Sequence, residues 1–347
     1  MSIERWLNGK PAVLFANPTA QSGQAADWIK TARAHLDAAG IPHRFEATAP
    51  AGGTVELVRR AIDDDGHRVV IYMGGDGTFA EVAKGVLASL EAKRCAMGML
   101  PTGTANDQGK SFGLAAGPGA IARNVEVIAA GAALSIDVGM ITISGETPAP
   151  QRDLFFDSFS VGLGAATLAT RNRDRELVGK IPGLGIVYRN NLVYAGALLQ
   201  RWLESYVVDI KFDVSATIDG SPYRFADVLD IIVKNTRIFG GEWVLDPRAE
   251  ADDGVFELIP VTGRRDFTQK LLSTFRASPI SEGDLRNLGF DLAPPVPGRK
   301  FELTIHVDGA RPAAQIDGET IPAGDRYEIE VAPRVLRLIV PREEAHA

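Results

Sequence analysis

Two glycine-rich turns carry the residues whose types could do chemistry. Residues 74–78 read Gly-Gly-Asp-Gly-Thr and residues 101–107 read Pro-Thr-Gly-Thr-Ala-Asn-Asp, and each turn follows an apolar run. Glycine lets a backbone turn tightly and bring its N–H groups close to an anion. Asp76 and Asp107 add carboxylates beside that anion, which suits a divalent cation as well. The turns therefore predict a nucleotide phosphate site at the ends of two buried strands.

The turns match two better-known phosphate-binding motifs only in part. Gly75, Gly77 and Ala80 match G-x-G-x-x-A, but the next strand ends in residues 100–102 without the acidic residue that a dinucleotide ribose needs. Residues 103–111 imitate a P-loop, yet the spacing is one residue too long and Thr104 replaces a glycine. A dehydrogenase and a P-loop enzyme are both disfavoured, and two such turns in succession go beyond plain strand–helix connections.

The elements that must position these turns alternate between strand and helix in the first part of the chain. Predicted strands and helices follow each other over residues 12–16, 25–39, 43–47, 54–62, 69–73, 79–90, 95–100 and 118–130. This alternation is typical of a doubly wound parallel sheet. After Ser135 strand-like runs dominate, over residues 136–143, 154–161, 207–214, 228–233, 255–260, 301–307, 314–316 and 326–331. We therefore predict an α/β nucleotide domain (1–138), an antiparallel β-sandwich domain (139–331) and a return of 332–347 to the first domain.

Composition narrows the class of protein. The 347 residues include 45% hydrophobic and 23% charged residues, as in ordinary globular proteins, and the net charge of −7 argues against a nucleic-acid partner. The single cysteine, Cys95, cannot form an intrachain disulfide, which fits a reducing compartment. We expect a cytoplasmic protein without a signal peptide or a membrane-spanning segment.

The chain resembles the diacylglycerol kinase catalytic superfamily of lipid kinases and, more distantly, NAD kinase. The similarity rests on six segments in order: Asn17-Pro18-Thr19 with Gly23, the 74–78 turn with Glu81, the 101–107 turn, Asn235 with Gly240-Gly241, residues 250–255, and Asp317-Gly318-Glu319. The 101–107 turn favours the lipid kinases over NAD kinase. The resemblance implies an ATP-dependent, Mg²⁺-requiring kinase that acts on the primary hydroxyl of diacylglycerol, ceramide, a sphingoid base or a related lipid at a membrane surface. NAD kinase and a non-catalytic binding regulator stay open as alternatives.

The resemblance also implies roles for individual residues. The residues expected to hold ATP are Asn17, Pro18, Thr19, Thr48, Gly75, Asp76, Gly77, Thr78, Glu81, Gly103, Thr104, Asn106, Asp107 and Asp317. Glu319 is the expected general base, and Asp76 is expected to position Mg²⁺ or the acceptor hydroxyl. Because the 74–78 turn has no lysine, Mg²⁺ would have to neutralise much of the phosphate charge. Asp107 could equally cap the following helix, and Asp317-Gly318 could be a plain hairpin turn.

Three further features have two interpretations each. Glu250, Asp253 and the carbonyl of Val255 match a structural Mg²⁺ site of bacterial relatives, or form a solvated acidic loop. Asp157 and Ser158 occupy the neighbourhood where the family usually has an asparagine, and their contacts are either structural or to the substrate. Residues 171–201 combine arginines and lysine with an apolar segment, which fits either peripheral membrane contact or a core helix with a charged entrance.

Overall fold

The computed structural model describes residues 2–145, 149–166, 211–239, 243–244, 246, 248–262 and 294–346. The described helices α1 to α6 are Glu4–Leu7, Ala25–Ala38, Gly53–Asp63, Asp76–Ala88, Asp107–Ser111 and Ile121–Ala130. The described strands β1 to β17 are Ala12–Ala16, His43–Ala47, Val69–Gly74, Ala96–Pro101, Ala133–Ser144, Gln151–Phe155, Ser158–Gly162, Phe212–Ile218, Ser221–Lys234, Ile238–Phe239, Trp243–Val244, Phe256–Thr262, Val296–Gly298, Lys300–His306, Ala314–Ile316, Glu319–Ile321 and Arg326–Ile339.

The first part of the chain is a parallel sheet with helices on both faces. Its strands lie in the order β2-β1-β3-β4, and every pairing among them is parallel. Alternate residues of each central strand point to opposite faces, where α3 and α4 cover one side and α2 and α6 cover the other. Burial on both faces explains why β1 and β3 are continuous apolar runs instead of alternating ones. The predicted doubly wound nucleotide-type layer is confirmed.

The loops whose residues could do chemistry lie at one edge of this sheet. The carboxyl ends of the four parallel strands lead into residues 17–19, Thr48, residues 74–78 and residues 101–107. In an open α/β sheet with the order 2-1-3-4, ligands bind outside these ends. Parallel register therefore brings four sequence-distant loops to one edge before any side chain is considered.

The second part is antiparallel and β-rich. The strands β8, β9, β14, β17, β7, β15, β16 and β12 pair with their neighbours in antiparallel register, around a core that includes Phe155, Phe159, Phe301 and Tyr327. The predicted strand 154–161 is interrupted at Phe156 and Asp157, so that β6 ends at Phe155 and β7 begins at Ser158. This break matters because it exposes backbone N–H groups that the sheet would otherwise have used.

Strand β17 connects the two parts. Its residues 326–330 pair with β14, and its far end reaches the parallel sheet, where Leu338 pairs with Met97 of β4. Between these regions the pairing with β5 shifts register at Ala332–Leu336, and Arg334 adopts a φ of 54°. The irregularity lies where β17 passes from the antiparallel strands to the parallel ones within one continuous sheet. Among the described residues, no helix is long and apolar enough to cross a membrane.

Candidate active site

The two glycine-rich turns contact each other through their backbones. The Gly74 carbonyl accepts hydrogen bonds from the N–H groups of Thr102 (2.8 Å) and Gly103 (3.0 Å). A Cβ on Gly103 would lie 2.3 Å from the Cα of Gly75. Glycine is therefore required at this position by the close approach of two backbones, which is one of the reasons the sequence repeats glycine in both turns.

Asp76 joins the turns through its side chain. Its carboxylate accepts hydrogen bonds from the backbone N–H groups of Asn106 (2.8 Å) and Gln108 (3.2 Å). Asn106 has a φ of 59° and holds its own turn, because its side chain accepts from the Gly103 N–H (2.7 Å) and donates to the Gly103 carbonyl (2.9 Å). Burial raises the pKa of Asp76 and the negative charge of Asp157 adds to the effect, despite these two N–H donors. A bound cation would favour its ionised form.

The N-terminus of α4 begins within the first turn. Asp76 is its first residue, Gly75 is the N-cap, and no side-chain cap closes this end. A helix of 13 residues presents its N-terminal N–H groups and the positive end of its dipole here. Thr78 packs against Gly74, at which a Cβ would lie 2.5 Å from the Thr78 hydroxyl. This end of α4 suits a phosphate group.

The other predicted nucleotide residues lie at the same sheet edge. The Asn17 side-chain oxygen accepts from the N–H (2.9 Å) and hydroxyl (2.8 Å) of Thr19, and the Thr48 N–H donates to the Ala16 carbonyl (3.1 Å). Thr104 is exposed. Pro18 stands between Asn17 and Thr19, and Glu81 lies one turn into α4. Asp107 is the first residue of α5, whose N-cap is Asn106, so it is a first-turn acid and not the cap.

Glu319 reaches this edge from the β-rich part. A Cβ on Gly77 would lie 2.6 Å from the Glu319 Oε1, which places this exposed carboxylate directly against the phosphate-type turn. Asp317 and Gly318 have φ values of 47° and 79° and connect β15 with β16, as expected for an Asp-Gly hairpin turn. The structure thus combines the two interpretations of this segment: a hairpin turn that presents a carboxylate to the site.

Asp317 itself is used by the protein backbone. Its carboxylate accepts hydrogen bonds from the N–H groups of Phe156 (2.9 Å), Asp157 (2.7 Å) and Ser158 (3.1 Å), at the break between β6 and β7. Burial raises the pKa of Asp317 to about 7, and the neighbouring Asp157 charge contributes. Its predicted contact with ATP stays a prediction, because the contacts in the structure tie the Glu319 turn to residues 156–158.

Sequence reasoning missed Lys234 and Thr236. The Lys234 ammonium lies 2.8 Å from Asp157, with 1% and 5% of the two side chains exposed. The Thr236 hydroxyl also donates to the Asp157 carboxylate. The signal available in the sequence was the unexpected Asp157 and a lysine directly before Asn235. Asn235 holds the same region, since its side-chain amide donates to the carbonyls of Asp137 (2.9 Å) and Phe156 (2.8 Å).

The predicted acidic metal site is less assembled. Glu250 and Asp253 are exposed, and one Asp253 oxygen accepts the Val255 N–H (2.8 Å). Within the part of the chain that the structure describes, no group of three or more acidic, histidine or cysteine side chains could hold a metal ion. A site built from Glu250, Asp253 and the Val255 carbonyl therefore stays a prediction. Gly240, Gly241 and residues 171–201 lie outside the described residues.

Comparisons with known proteins agree with this arrangement. Residues 11–141 match the sequence model of the diacylglycerol kinase catalytic domain. The "Probable lipid kinase YegS" of Salmonella typhimurium is 28% identical over 279 residues, which cover 80% of this chain and 79% of that protein. A diacylglycerol kinase of Staphylococcus carnosus is 26% identical over 73% of this chain and 72% of its own length. A diacylglycerol kinase structure from Bacillus anthracis has the same fold, with a TM-score of 0.68 and 19% identity over 96% of this chain and 98% of that one. By these similarities the chain resembles lipid kinases of the diacylglycerol kinase type, and its match to their catalytic domain spans residues 11–141.

Proposed function

We propose that this protein is a lipid kinase that transfers the γ-phosphoryl group of ATP to a primary hydroxyl of diacylglycerol, ceramide, a sphingoid base or a related lipid. One observation carries the proposal: Glu319 lies against Gly77. Gly77 belongs to the first glycine-rich turn, which Asp76 connects to the second one by a hydrogen bond. A phosphate-type turn and a carboxylate from a second part of the chain thus meet at one point. The similarity of the chain to lipid and diacylglycerol kinases supports lipid as the acceptor.

The residues divide the reaction between them. The N–H groups at the start of α4 bind the phosphates, and the Gly74 and Gly103 backbones hold the two turns in register. Mg²⁺, when bound, neutralises phosphate charge, and Asp76 would hold it. Glu319 accepts the proton of the lipid hydroxyl as the phosphoryl group leaves ATP. Because such transfer is loose, positioning and charge neutralisation matter more than the strength of the base.

A lipid-panel assay tests the proposal directly. The protein is incubated with ATP, Mg²⁺ and mixed micelles of each lipid class, with NAD as a further acceptor, and the products are identified by mass. We expect one lipid class to gain a phosphate, and Asp76→Ala to abolish that gain while the fold survives. Phosphorylation of NAD without any lipid product would contradict the proposal, and ATP binding without turnover would indicate a regulator.

Membrane contact is a separate part of the proposal. Residues 171–201 contain Arg171, Arg173 and Arg175 beside an apolar segment, and basic residues next to apolar ones favour anionic lipid surfaces. Replacing the three arginines together by glutamine should lower the fraction of the protein that sediments with phosphatidylglycerol vesicles. Unchanged binding would favour a core helix with a charged entrance.

A further inference from the structure

A buried ion pair lies immediately behind the candidate active site. The Lys234 ammonium donates to the Asp157 carboxylate at 2.8 Å and to the Ile238 carbonyl at 2.7 Å. The hydroxyls of Ser158 and Thr236 donate to the two oxygens of the same carboxylate. Every polar atom of Asp157 is thereby satisfied although the side chain is almost fully enclosed. Such a pair gains little over apolar packing, because both charges lose their hydration, but removal of one partner leaves an uncompensated buried charge.

The pair fixes a backbone segment that the site depends on. Asp157 lies in the break between β6 and β7, and its carbonyl accepts the N–H of Asn235 (2.9 Å). The three N–H groups of residues 156–158 all point to the Asp317 carboxylate, and the Ser158 carbonyl accepts the Asp317 N–H (2.9 Å). Any displacement of this segment is therefore transmitted to the Asp317 turn.

The Asp317 turn carries the proposed base. Glu319 follows Asp317 by two residues and lies against Gly77. Because its side chain makes no hydrogen bond to the other described residues, its position depends on the hairpin. The family that this chain resembles usually has an asparagine in the neighbourhood of Asp157. In this chain Asp157 carries a negative charge, and Lys234 is the cation that offsets it.

We propose that the Asp157–Lys234 pair is a positioning element for catalysis, which holds residues 156–158 so that the Asp317 turn keeps Glu319 against Gly77. The proposal rests on the proposed function for its kinetic consequences. Neither residue touches the reacting atoms in this scheme, and both act through Asp317. What the position requires is that the charges match: both present, or both absent.

A double-mutant cycle tests this requirement. Lys234→Met leaves Asp157 charged and unpaired, and we expect kcat to fall roughly 10- to 100-fold with the KM for ATP within about twofold, the scale of a displaced catalytic group. Adding Asp157→Asn removes the second charge and keeps an oxygen for the Thr236 hydroxyl. We expect the double variant to regain kcat to within about threefold of the wild type.

Loss of stability needs a matched control. Leu303→Ala empties part of the β-rich core, where Leu303 is fully buried on β14, and should lower Tm without lowering kcat at a temperature where the protein is folded. A Lys234→Met variant with lowered Tm and normal kcat would overturn the proposal. So would a double variant that stays as slow as the single one. If Lys234→Met is insoluble, Asp157→Asn alone replaces it, because it also unbalances the pair, with the same expectations.

A second readout separates this proposal from the proposed function. If the wild type phosphorylates no lipid, the proposed function fails, but hydrogen exchange still tests the positioning. Peptides covering 154–160 and 314–321 should exchange faster in Lys234→Met and return to wild-type rates in the double variant. Unchanged exchange in both peptides would overturn the proposal whatever the activity.

Discussion

Asp76 and Asp317 are two partly buried aspartates whose carboxylates hold backbone segments in different parts of the molecule. Each one accepts backbone N–H groups from a separate segment of the chain: residues 106 and 108 for Asp76, and residues 156–158 for Asp317. Burial raises the pKa of both groups. The difference lies in distance along the chain, which is about 30 residues for Asp76 and about 160 for Asp317.

Asp76 therefore makes a local connection, and Asp317 makes a long-range connection. Asp76 joins two turns that a parallel sheet already places side by side, so it refines an arrangement that the topology provides. Asp317 directly follows β15, which pairs with β7, and its hydrogen bonds extend this contact to the break between β6 and β7. We expect Asp76 both to organise the site and to face its ligand, whereas the contacts of Asp317 in the structure are organising ones.

The largest effect on kcat should come from Glu319, which the long-range connection of Asp317 positions. Glu319→Gln keeps the size of the side chain but removes its ability to accept a proton, and we expect kcat to fall by roughly two to four orders of magnitude. The matched control is Glu330→Gln, an exposed glutamate on β17. Steady-state kinetics with the best lipid of the panel measure both. Near-normal turnover of Glu319→Gln would remove it as the base.

Asparagine at the two aspartates tests the comparison itself. Asp76→Asn and Asp317→Asn each keep one oxygen to accept N–H groups, so a purely organising carboxylate should tolerate the change. We expect kcat to fall about a hundredfold or more for Asp76→Asn, which also loses charge next to the phosphates, and to stay within about tenfold for Asp317→Asn. Equal losses in the two variants, measured in the same assay, would show that the assigned division of labour is wrong.

The arrangement around Asp76 could be predicted from the sequence much better than the contacts of Asp317. The strands 12–16 and 43–47 lie as predicted in β1 and β2, and the turns after β3 and β4 meet because adjacent parallel strands end at one edge. The sequence could not predict that 154–161 would break at Phe156, since nothing local favours a break there. The contact of those residues with Asp317 and the Asp157–Lys234 pair depends on a fold that brings together positions far apart in the chain.

The backbone contact between the two turns can be broken by a single methyl group. Gly103→Ala would place a Cβ 2.3 Å from the Gly75 Cα, and two backbones cannot yield as a flexible side chain can. Overpacking of this kind costs about 1–3 kcal/mol, and we expect the KM for ATP to rise roughly tenfold. Gly119→Ala is the control, because its Cβ would have no heavy atom within 4 Å. Equal KM values for the two variants would contradict a phosphate site built on this contact.

The smallest effect should come from Asp230, a buried carboxylate that accepts fewer backbone N–H groups than Asp76 or Asp317. Asp230 is fully buried, and one of its oxygens accepts the Gly164 N–H at 2.6 Å while the other has no hydrogen-bond partner among the described residues. Burial raises the pKa of Asp230 well above its ordinary value, so the folded protein holds a proton that the unfolded chain releases above about pH 4.

The contribution of Asp230 to stability should therefore fall as the pH rises from about 4 towards the raised pKa, because unfolding then releases a proton, at no more than about 1.4 kcal/mol per pH unit. Asp230→Asn cannot ionise, so the Tm of this variant minus that of the wild type should grow between pH 4 and pH 8 in thermal melts. Asp308→Asn, at an exposed position, should show no such trend. A constant difference for Asp230→Asn would mean that Asp230 is ionised in the folded protein, and that backbone donors are not what separates it from Asp76 and Asp317.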